Sequence, residues 1–206
     1  MENTGFLIPL RDGKTAHVRQ VRPSDKSVMN AAFKLLSDES KYARFLTVMH
    51  QLNENQLTYF TDIDQVNHVA WGVDLPYMPE IPGIAVGRYV RIKEEPAAAE
   101  FALTVIDQFQ GQGLGRFLLA LLYRLAQQQG DIKTLRGVIG TSNDKMISWM
   151  RQLGADLYLS PEYVMHADLP VHQGLPDMPD NRAARRFVRV LDLIQQGEAN
   201  QRCPLI

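Results

Sequence analysis

Residues 99–125 hold the feature that most limits what this chain can fold into. Phe101 to Ile106 are apolar or β-branched without a break, as in a buried strand. Residues 107–113 interrupt the pattern. Apolar residues then recur at 114, 117, 118, 121, 122 and 125, which is one face of a helix. The junction reads Gln110, Gly111, Gln112, Gly113, Leu114, Gly115, so three glycines alternate where the helix begins. Glycine admits φ > 0 and lets a ligand approach without meeting a Cβ. The first N–H groups of a helix lack intrahelical partners and carry the positive end of its dipole. Such a loop suits a phosphate or pyrophosphate; the bland alternative is a structural turn.

Two common phosphate loops fit poorly. The dinucleotide fingerprint G-x-G-x-x-G needs a third glycine where Arg116 stands, and it belongs in a first βαβ unit, whereas this stretch lies mid-chain. The P-loop needs a lysine after its glycines, and none follows here.

The rest of the composition narrows the class. A chain of 206 residues with 45% apolar content can bury one core, with room for a small appendage. A net charge of −1 favours neither nucleic acid nor an anionic membrane as partner. One cysteine, Cys203, excludes a disulfide scaffold and a Cys-based zinc site. Residues 1–14 lack the basic start and long apolar run of a signal peptide, and no stretch approaches the ~18 apolar residues of a membrane span. The expectation is a soluble cytoplasmic protein.

Along the chain, residues 15–21 alternate as a first strand. Helices are expected from Pro23 to about 36, from 39 to about 49 after a Ser37 or Asp38 cap, and from Asn53 to about 60. Strands at 66–75 and 83–93 precede the central strand–turn–helix unit. A strand at 134–139, a helix at 143–153 and one or two short strands over 157–166 follow it. Residues 170–180 are rich in Pro, Gly and Asp, as a linker would be, and a last helix spans about 182–195. This order predicts an α/β fold with a mixed, twisted sheet of about six to seven strands. The organisation expected is a domain over 13–167, then a linker and an amphipathic C-terminal helix over 168–206.

The glycine junction resembles the acyl-CoA motif [Q/R]-x-x-G-x-[G/A] of the GNAT acetyltransferases, which Gln110 through Gly115 satisfy in full. Val105, Asp107 and Phe109 stand where that family commonly has Val-x-Pro-x-aromatic, and the element order over about 13–167 is that of the GNAT fold. The opening is similar to the acetyltransferase domain of bacterial protein-lysine acetyltransferases. Arg22-Pro23-x-Asp25, Leu36-Ser37-x-Glu39-Ser40, Arg44-Phe45 and Ile63-Asp64 carry that likeness. The resemblance implies that N–H groups near Gly111, Gly113, Gly115 and Arg116, within the motif that includes Gln110, Gln112 and Leu114, bind the CoA pyrophosphate. It also implies that the strand backbone from Leu103 to Val105 meets the pantetheine and the thioester, with acetyl-CoA as co-substrate.

Acetyl transfer to an amine needs a base, because a lysine ammonium (pKa ~10.4) is not a nucleophile. Glu100, an isolated acid opening the central strand, is the candidate; partial desolvation there would raise its pKa. In the branch just named, a glutamate in this Glu-Phe-Ala context is the base. Glu94 and Glu95 are runners-up. A backbone N–H near Val105 would stabilise the oxyanion, freed by a β-bulge. Many GNAT enzymes place a tyrosine seven residues after the Asn that opens the next helix, here Asn143, to protonate the thiolate. This chain has Met150 there, so the acid is absent or comes from elsewhere, for example Tyr158. A thiolate (thiol pKa ~8.5) leaves tolerably without help. Asn143, in Asn143-Asp144-Lys145-Met146, can cap its helix and also bind the pantetheine.

The five histidines form no metal-ligand spacing, so no metal is expected, and His68 reads as an ordinary strand histidine. No G-x-S-x-G elbow exists. The last helix bears Arg182, Arg185, Arg186 and Arg189 opposite Ala184, Phe187, Val188, Leu191 and Ile194. It is read as packed on its own domain with a solvated basic face, in preference to a docking surface. The expected activity is acetyl transfer from acetyl-CoA to an amine, a protein lysine by resemblance, by direct attack in a ternary complex. A small-molecule acceptor and a non-catalytic acyl-CoA-binding regulatory module are the alternatives. A homodimer is left open.

Overall fold

The computed structural model of the chain describes residues 5–174 and 176–200, the side chains of 197–200 excepted; Cys203 lies outside the described residues. Eight strands form one mixed sheet: β1 (Phe6–Pro9), β2 (Thr15–Gln20), β3 (His68–Asp74), β4 (Ala85–Arg91), β5 (Ala98–Val105), β6 (Thr134–Gly140), β7 (Asp156–Leu159) and β8 (Val164–Pro170). Their order across the sheet is β1-β2-β3-β4-β5-β6-β8-β7. Helices α1 (Lys26–Lys34), α2 (Asp38–Phe45) and α3 (Glu54–Thr61) lie between β2 and β3. Helix α4 (Leu114–Gln129) joins β5 to β6, α5 (Asp144–Gln152) joins β6 to β7, and α6 (Arg182–Asn200) follows β8. Every neighbouring pair is antiparallel except β5–β6, the pair that needs a helical crossover and gets it from α4. The fold is α/β, as expected. The sheet is wider than the six or seven strands counted because β1 is four residues long, too short for alternation to register, and pairs with β2 through the turn at 10–14.

The parallel pair carries the main consequence for function. β5 and β6 pair only from Ala98–Thr134 to Phe101–Gly137. Beyond that point β5 stays with β4 as far as Ala85–Val105, while β6 stays with β8 as far as Gly140–Val164. The two strands therefore diverge and leave a wedge between them. At its apex the Phe101 ring occupies the space a side chain at Gly137 would need: a Cβ there would meet the ring at 3.0 Å.

Helix α4 is buried nearly all round rather than on one face. The sheet covers one side and α6 the other, where Phe187 meets Tyr123 edge-on at 5.7 Å between ring centroids. Tyr123 also donates to Pro170 O (3.0 Å) and accepts from His172 N–H (2.8 Å). Phe187, Leu191 and Ile194 are buried, so the apolar face of α6 is spent on its own fold. Helix α2 stops at Phe45, short of the expected 49, because Leu46 turns left-handed (φ 55°) and caps onto Tyr42 O. Among the described residues no helix is long and apolar enough to cross a membrane.

Candidate active site

The glycine junction forms as a strand, a short turn and a helix. Gly111 (φ 78°) and Gly113 (φ 95°) take conformations that side chains resist, and Gly113 is the N-cap of α4. A Cβ at Gly111 or Gly115 would meet no protein atom within 4 Å, so the space above the loop is open. A cavity of about 250 Å³ lies against Val105, Gln110, Gly111, Gly113 and Gly115. The exposed Gln110 side chain folds back over the loop. Its amide donates to Val105 O (3.3 Å) and Ser40 Oγ (3.2 Å), so its part is to shape the loop. Gln112 is half-buried, its Oε1 without a hydrogen-bond partner among the described residues. Leu114 is buried in the core.

Other segments brace the loop. Arg11, in the β1–β2 turn, donates to Gly111 O at 2.8 Å. Asp107 accepts from Ser37 N–H (2.9 Å), Ser37 Oγ (2.8 Å) and Ser40 Oγ (2.8 Å), tying the start of α2 to the end of β5. Burial opposes the Asp107 charge, but these bonds prevail and hold its carboxyl below the usual carboxylate range. Arg116 is half-buried. Burial, then repulsion from Arg11 and Arg186, pulls its pKa down, so both of those charges bear on Arg116. Sequence reasoning missed Arg11 and placed Arg186 on a solvated face. Nothing local could have joined residues 11, 116 and 186.

The wedge between β5 and β6 is a cleft of about 350 Å³. Glu100, Leu103, Val105, Gln110 and Asn143 all line it, so the structure gathers these five predicted residues around one space. Even-numbered residues of β5 bond toward β4, as Ile106 N–H to Ile84 O (3.0 Å) and Ile92 N–H to Ala98 O (2.9 Å) show. The N–H groups of Leu103 and Val105 therefore face the wedge. The expected bulge is absent: β4 and β5 pair one to one from Ala85–Val105 to Arg91–Ala99. Divergence of β6, not a bulge, frees those groups. Asn143 accepts from Met146 N–H at 3.1 Å as the cap of α5 while facing the cleft.

Glu100 stands where the cleft meets a second pocket of about 250 Å³, on the side of β5 covered by α2 and α3; Arg44, Glu100 and Ala102 line both. The Glu100 side chain is exposed, not partly desolvated as expected, because it sits at this open junction. Of the runners-up, Glu95 is held by Arg136 at 2.9 and 3.1 Å, while Glu94 is exposed at the rim of the second pocket.

The side-chain acid has no counterpart in the cleft. Met150 is fully buried in the core. Tyr158 lies on β7, two strands beyond β6, with its ring 5.1 Å from His166, so it does not reach the cleft. Among the described residues lining the cleft there is no tyrosine, histidine or cysteine. Nor do the described residues contain a cluster of three His, Cys, Asp or Glu able to hold a metal. His68 is half-buried behind Arg88, and its Nε2 accepts from Arg88 at 3.1 Å.

Comparison with known proteins agrees with this geometry. The family described as "Acetyltransferase (GNAT) domain" matches residues 17–156. Acetyltransferase Pat of Mycolicibacterium smegmatis is 31% identical over 153 residues, covering 74% of this chain and 44% of that protein. The chain thus spans less than half the length of that relative. The crystal structure of the GNAT domain of S. lividans PAT superposes with a TM-score of 0.72 at 29% identity, covering 81% of this chain and 96% of that one. The cAMP-binding acyltransferase of Mycobacterium smegmatis gives a TM-score of 0.57 at 26% identity over 92% of this chain and 56% of its own. With more than half its length matched by the family and the fold shared, the chain belongs to the GNAT acetyltransferase family.

Proposed function

We propose that this protein transfers the acetyl group of acetyl-CoA to an amine, with a protein lysine as acceptor and Glu100 as general base. The position of Glu100 carries the reading: it stands on the wall shared by the wedge and the second pocket. A thioester threaded along β5 and an amine entering from the α2–α3 side would meet beside its carboxylate. The assignment to a protein lysine follows the resemblance of the opening segments, Arg22 to Asp64, to bacterial protein-lysine acetyltransferases.

The residues present suit the co-substrate. The N-terminus of α4, the open space above Gly111 and Gly115, and the guanidinium groups of Arg11, Arg116 and Arg186 favour phosphates at one end. The Leu103 and Val105 N–H groups offer amide partners along the wedge. At the far end the amine nitrogen attacks the thioester carbonyl, the new C–N bond forms as the C–S bond breaks, and CoA leaves as thiolate. The developing oxyanion would lie against a strand N–H freed by the divergence of β6, and of the two Leu103 stands nearer to Glu100 than Val105 does. Glu100 takes the proton that the amine must shed. Keeping a lysine neutral near pH 7.4 costs about 4 kcal/mol in water, so the carboxylate has to act with substrates covering it on both sides. Thiolate departure proceeds without a side-chain acid.

The test is Glu100→Gln. Thiol release from acetyl-CoA with lysine-bearing proteins, acyl-CoA synthetases among them, should fall about 10²–10⁴-fold while acetyl-CoA binding persists. Unchanged turnover would remove Glu100 from the mechanism. Binding without release from the wild type, across proteins and small amines alike, would favour the non-catalytic module.

A further inference from the structure

We propose that the acceptor carries a carboxylate close to the amine it presents, and that Arg44 and Arg88 bind it. This rests on the acetyl-transfer reading above and names the chemistry of its second substrate.

The sheet contains four arginines, and three hold carboxylates. Arg19 donates to Asp25 (2.8 and 3.0 Å) and Asp74 (3.2 Å). Arg91 donates to Asp131 (3.1 and 2.9 Å). Arg136 donates to Asp168 (2.7 and 2.8 Å) as well as Glu95. The fourth, Arg88 in the middle of β4, is the most deeply placed, at 5% exposure. Its contacts are the neutral ring nitrogen of His68 (3.1 Å), Phe60 O (3.3 Å) and the face of the Phe60 ring (4.6 Å). Among the described residues it has no ion-pair partner. A buried guanidinium without an anion is costly, and a sheet that neutralises its other arginines has left this one open.

Arg44 of α2 repeats the pattern. It is half-buried, packs over the Phe45 ring at 4.9 Å, and forms no ion pair with a described residue. Burial lowers both arginines, Arg88 to about 9; proximity to Arg44 adds to the shift of Arg88, whereas the nearby Glu100 carboxylate, and then Tyr59, partly offset that of Arg44. His68, held at about 4 by burial and then by Arg88, stays neutral and supplies no charge of its own.

Both guanidinium groups line the same 250 Å³ pocket as Glu100. The register fixes the arrangement: Arg88 lies opposite Ala102 and Val90 opposite Glu100, so Arg88 and Glu100 project from one face of the sheet as diagonal neighbours. Lys93 and Glu94 stand at the rim, and Arg91 is committed to Asp131. The pocket therefore presents an acid and an unfilled pair of planar, bidentate donors side by side. The ligand that answers both is zwitterionic, its ammonium at Glu100 and its carboxylate at Arg44 and Arg88. Such a carboxylate has two sources: a free amino acid with an amine at the right reach, or an acidic residue beside a lysine in a polypeptide.

The experiment uses the whole chain and two matched probe pairs. One pair is a short lysine peptide with Glu or Gln next to the lysine; the other is lysine or ornithine against its carboxamide. For each we would measure thiol release from acetyl-CoA, and for fluorescein-labelled peptides anisotropy without acetyl-CoA. The expected result is a KM at least about tenfold lower for the carboxylate member of one pair, with that ratio collapsing toward one in Arg44→Gln and in Arg88→Gln. The responding pair identifies the source. Should Arg88→Gln fail to fold, Arg44→Gln decides alone. Turnover with equal KM within both pairs would overturn the subsite and leave the acetyltransferase intact. No turnover anywhere, with the Glu peptide still bound preferentially and only by the wild type, would instead sink acetyl transfer and keep the subsite; equal binding of both peptides would overturn it.

Discussion

The two sides of β5 recognise their ligands by different means. On the side we assign to acetyl-CoA, recognition is mostly backbone: positive φ at Gly111 and Gly113, the first turn of α4, and the Leu103 and Val105 N–H groups exposed by the divergence of β6. On the side we assign to the acceptor it is side chains from several elements: Arg44 of α2, Tyr59 of α3 and Arg88 of β4 share a pocket with Glu100, and Phe60 of α3 and His68 of β3 hold Arg88 from behind. Backbone sites are sensitive to added atoms, because what they offer is room and N–H groups that side-chain truncation does not remove. Side-chain sites are sensitive to removed ones. The contrast is open to attack from either side.

The largest effect should come from adding atoms on the donor side. A Cβ at Gly115 meets nothing in the protein, and the residue lies in the first turn of α4. Gly115→Glu should leave stability unchanged or raise it by up to about 1 kcal/mol, since glycine is a poor helix former and an acid suits a helix N-terminus. Its carboxylate would occupy and repel the phosphate position, so acetyl-CoA affinity should fall about 100-fold. Calorimetric titration alongside a melting curve checks both. A destabilised protein, or a stable one with affinity intact, would show that the loop is a structural turn.

The same contrast explains what could be read in advance. Residues 101–115 lie together in sequence, and strand, positive-φ turn and helix each leave a local signature, so the loop and its place in the fold were legible. Asn143 was legible too, as a helix cap. The wedge was not, since it depends on where β6 leaves β5, past the Phe101–Gly137 pair, and no local signal marks that point. Arg88 reads as an ordinary polar residue in a strand; only the register with Ala102 and the position of Phe60 reveal a buried guanidinium without an acid. Tyr158, offered as an example of an acid from elsewhere, stands away from the cleft because β7 pairs outside β8, an order the hydrophobic pattern cannot distinguish from its reverse. The Glu100 environment was misjudged because an acid before an apolar run looks half-buried until the open junction around it is known.

A middling effect should appear on the acceptor side with pH. The folded protein holds His68 at about 4, by burial first and Arg88 second, with Asp64 opposing; unfolded, it returns to about 6.5. Between those values the unfolded chain binds a proton that the folded protein refuses. The contribution is therefore fully present above pH 6.5 and lost as pH falls toward 4. His68→Gln can still accept from Arg88 but cannot titrate. Between pH 7 and 5 the wild type should lose about 1–2 kcal/mol more than the variant, after allowance for partial exposure. Urea unfolding at the two pH values measures this, and parallel losses would mean that the folded protein does not hold the ring neutral.

The smallest effect tests whether the donor side is purely backbone. Arg186 is exposed on α6, far in sequence from the loop, yet it bears on Arg116 together with Arg11. In the free protein three like charges repel, so Arg186→Gln should leave stability unchanged or slightly improved. If the cluster serves phosphates, the same substitution should weaken acetyl-CoA about 3- to 10-fold, more at low salt than at high. Repeating the titration with CoA lacking its 3′-phosphate locates the contact. A wild-type-to-variant ratio that falls to one with that analogue puts Arg186 on the 3′-phosphate, and a ratio that persists puts it on the pyrophosphate. A ratio of one with both would confine α6 to covering α4 and leave the donor side to the backbone, Arg11 and Arg116.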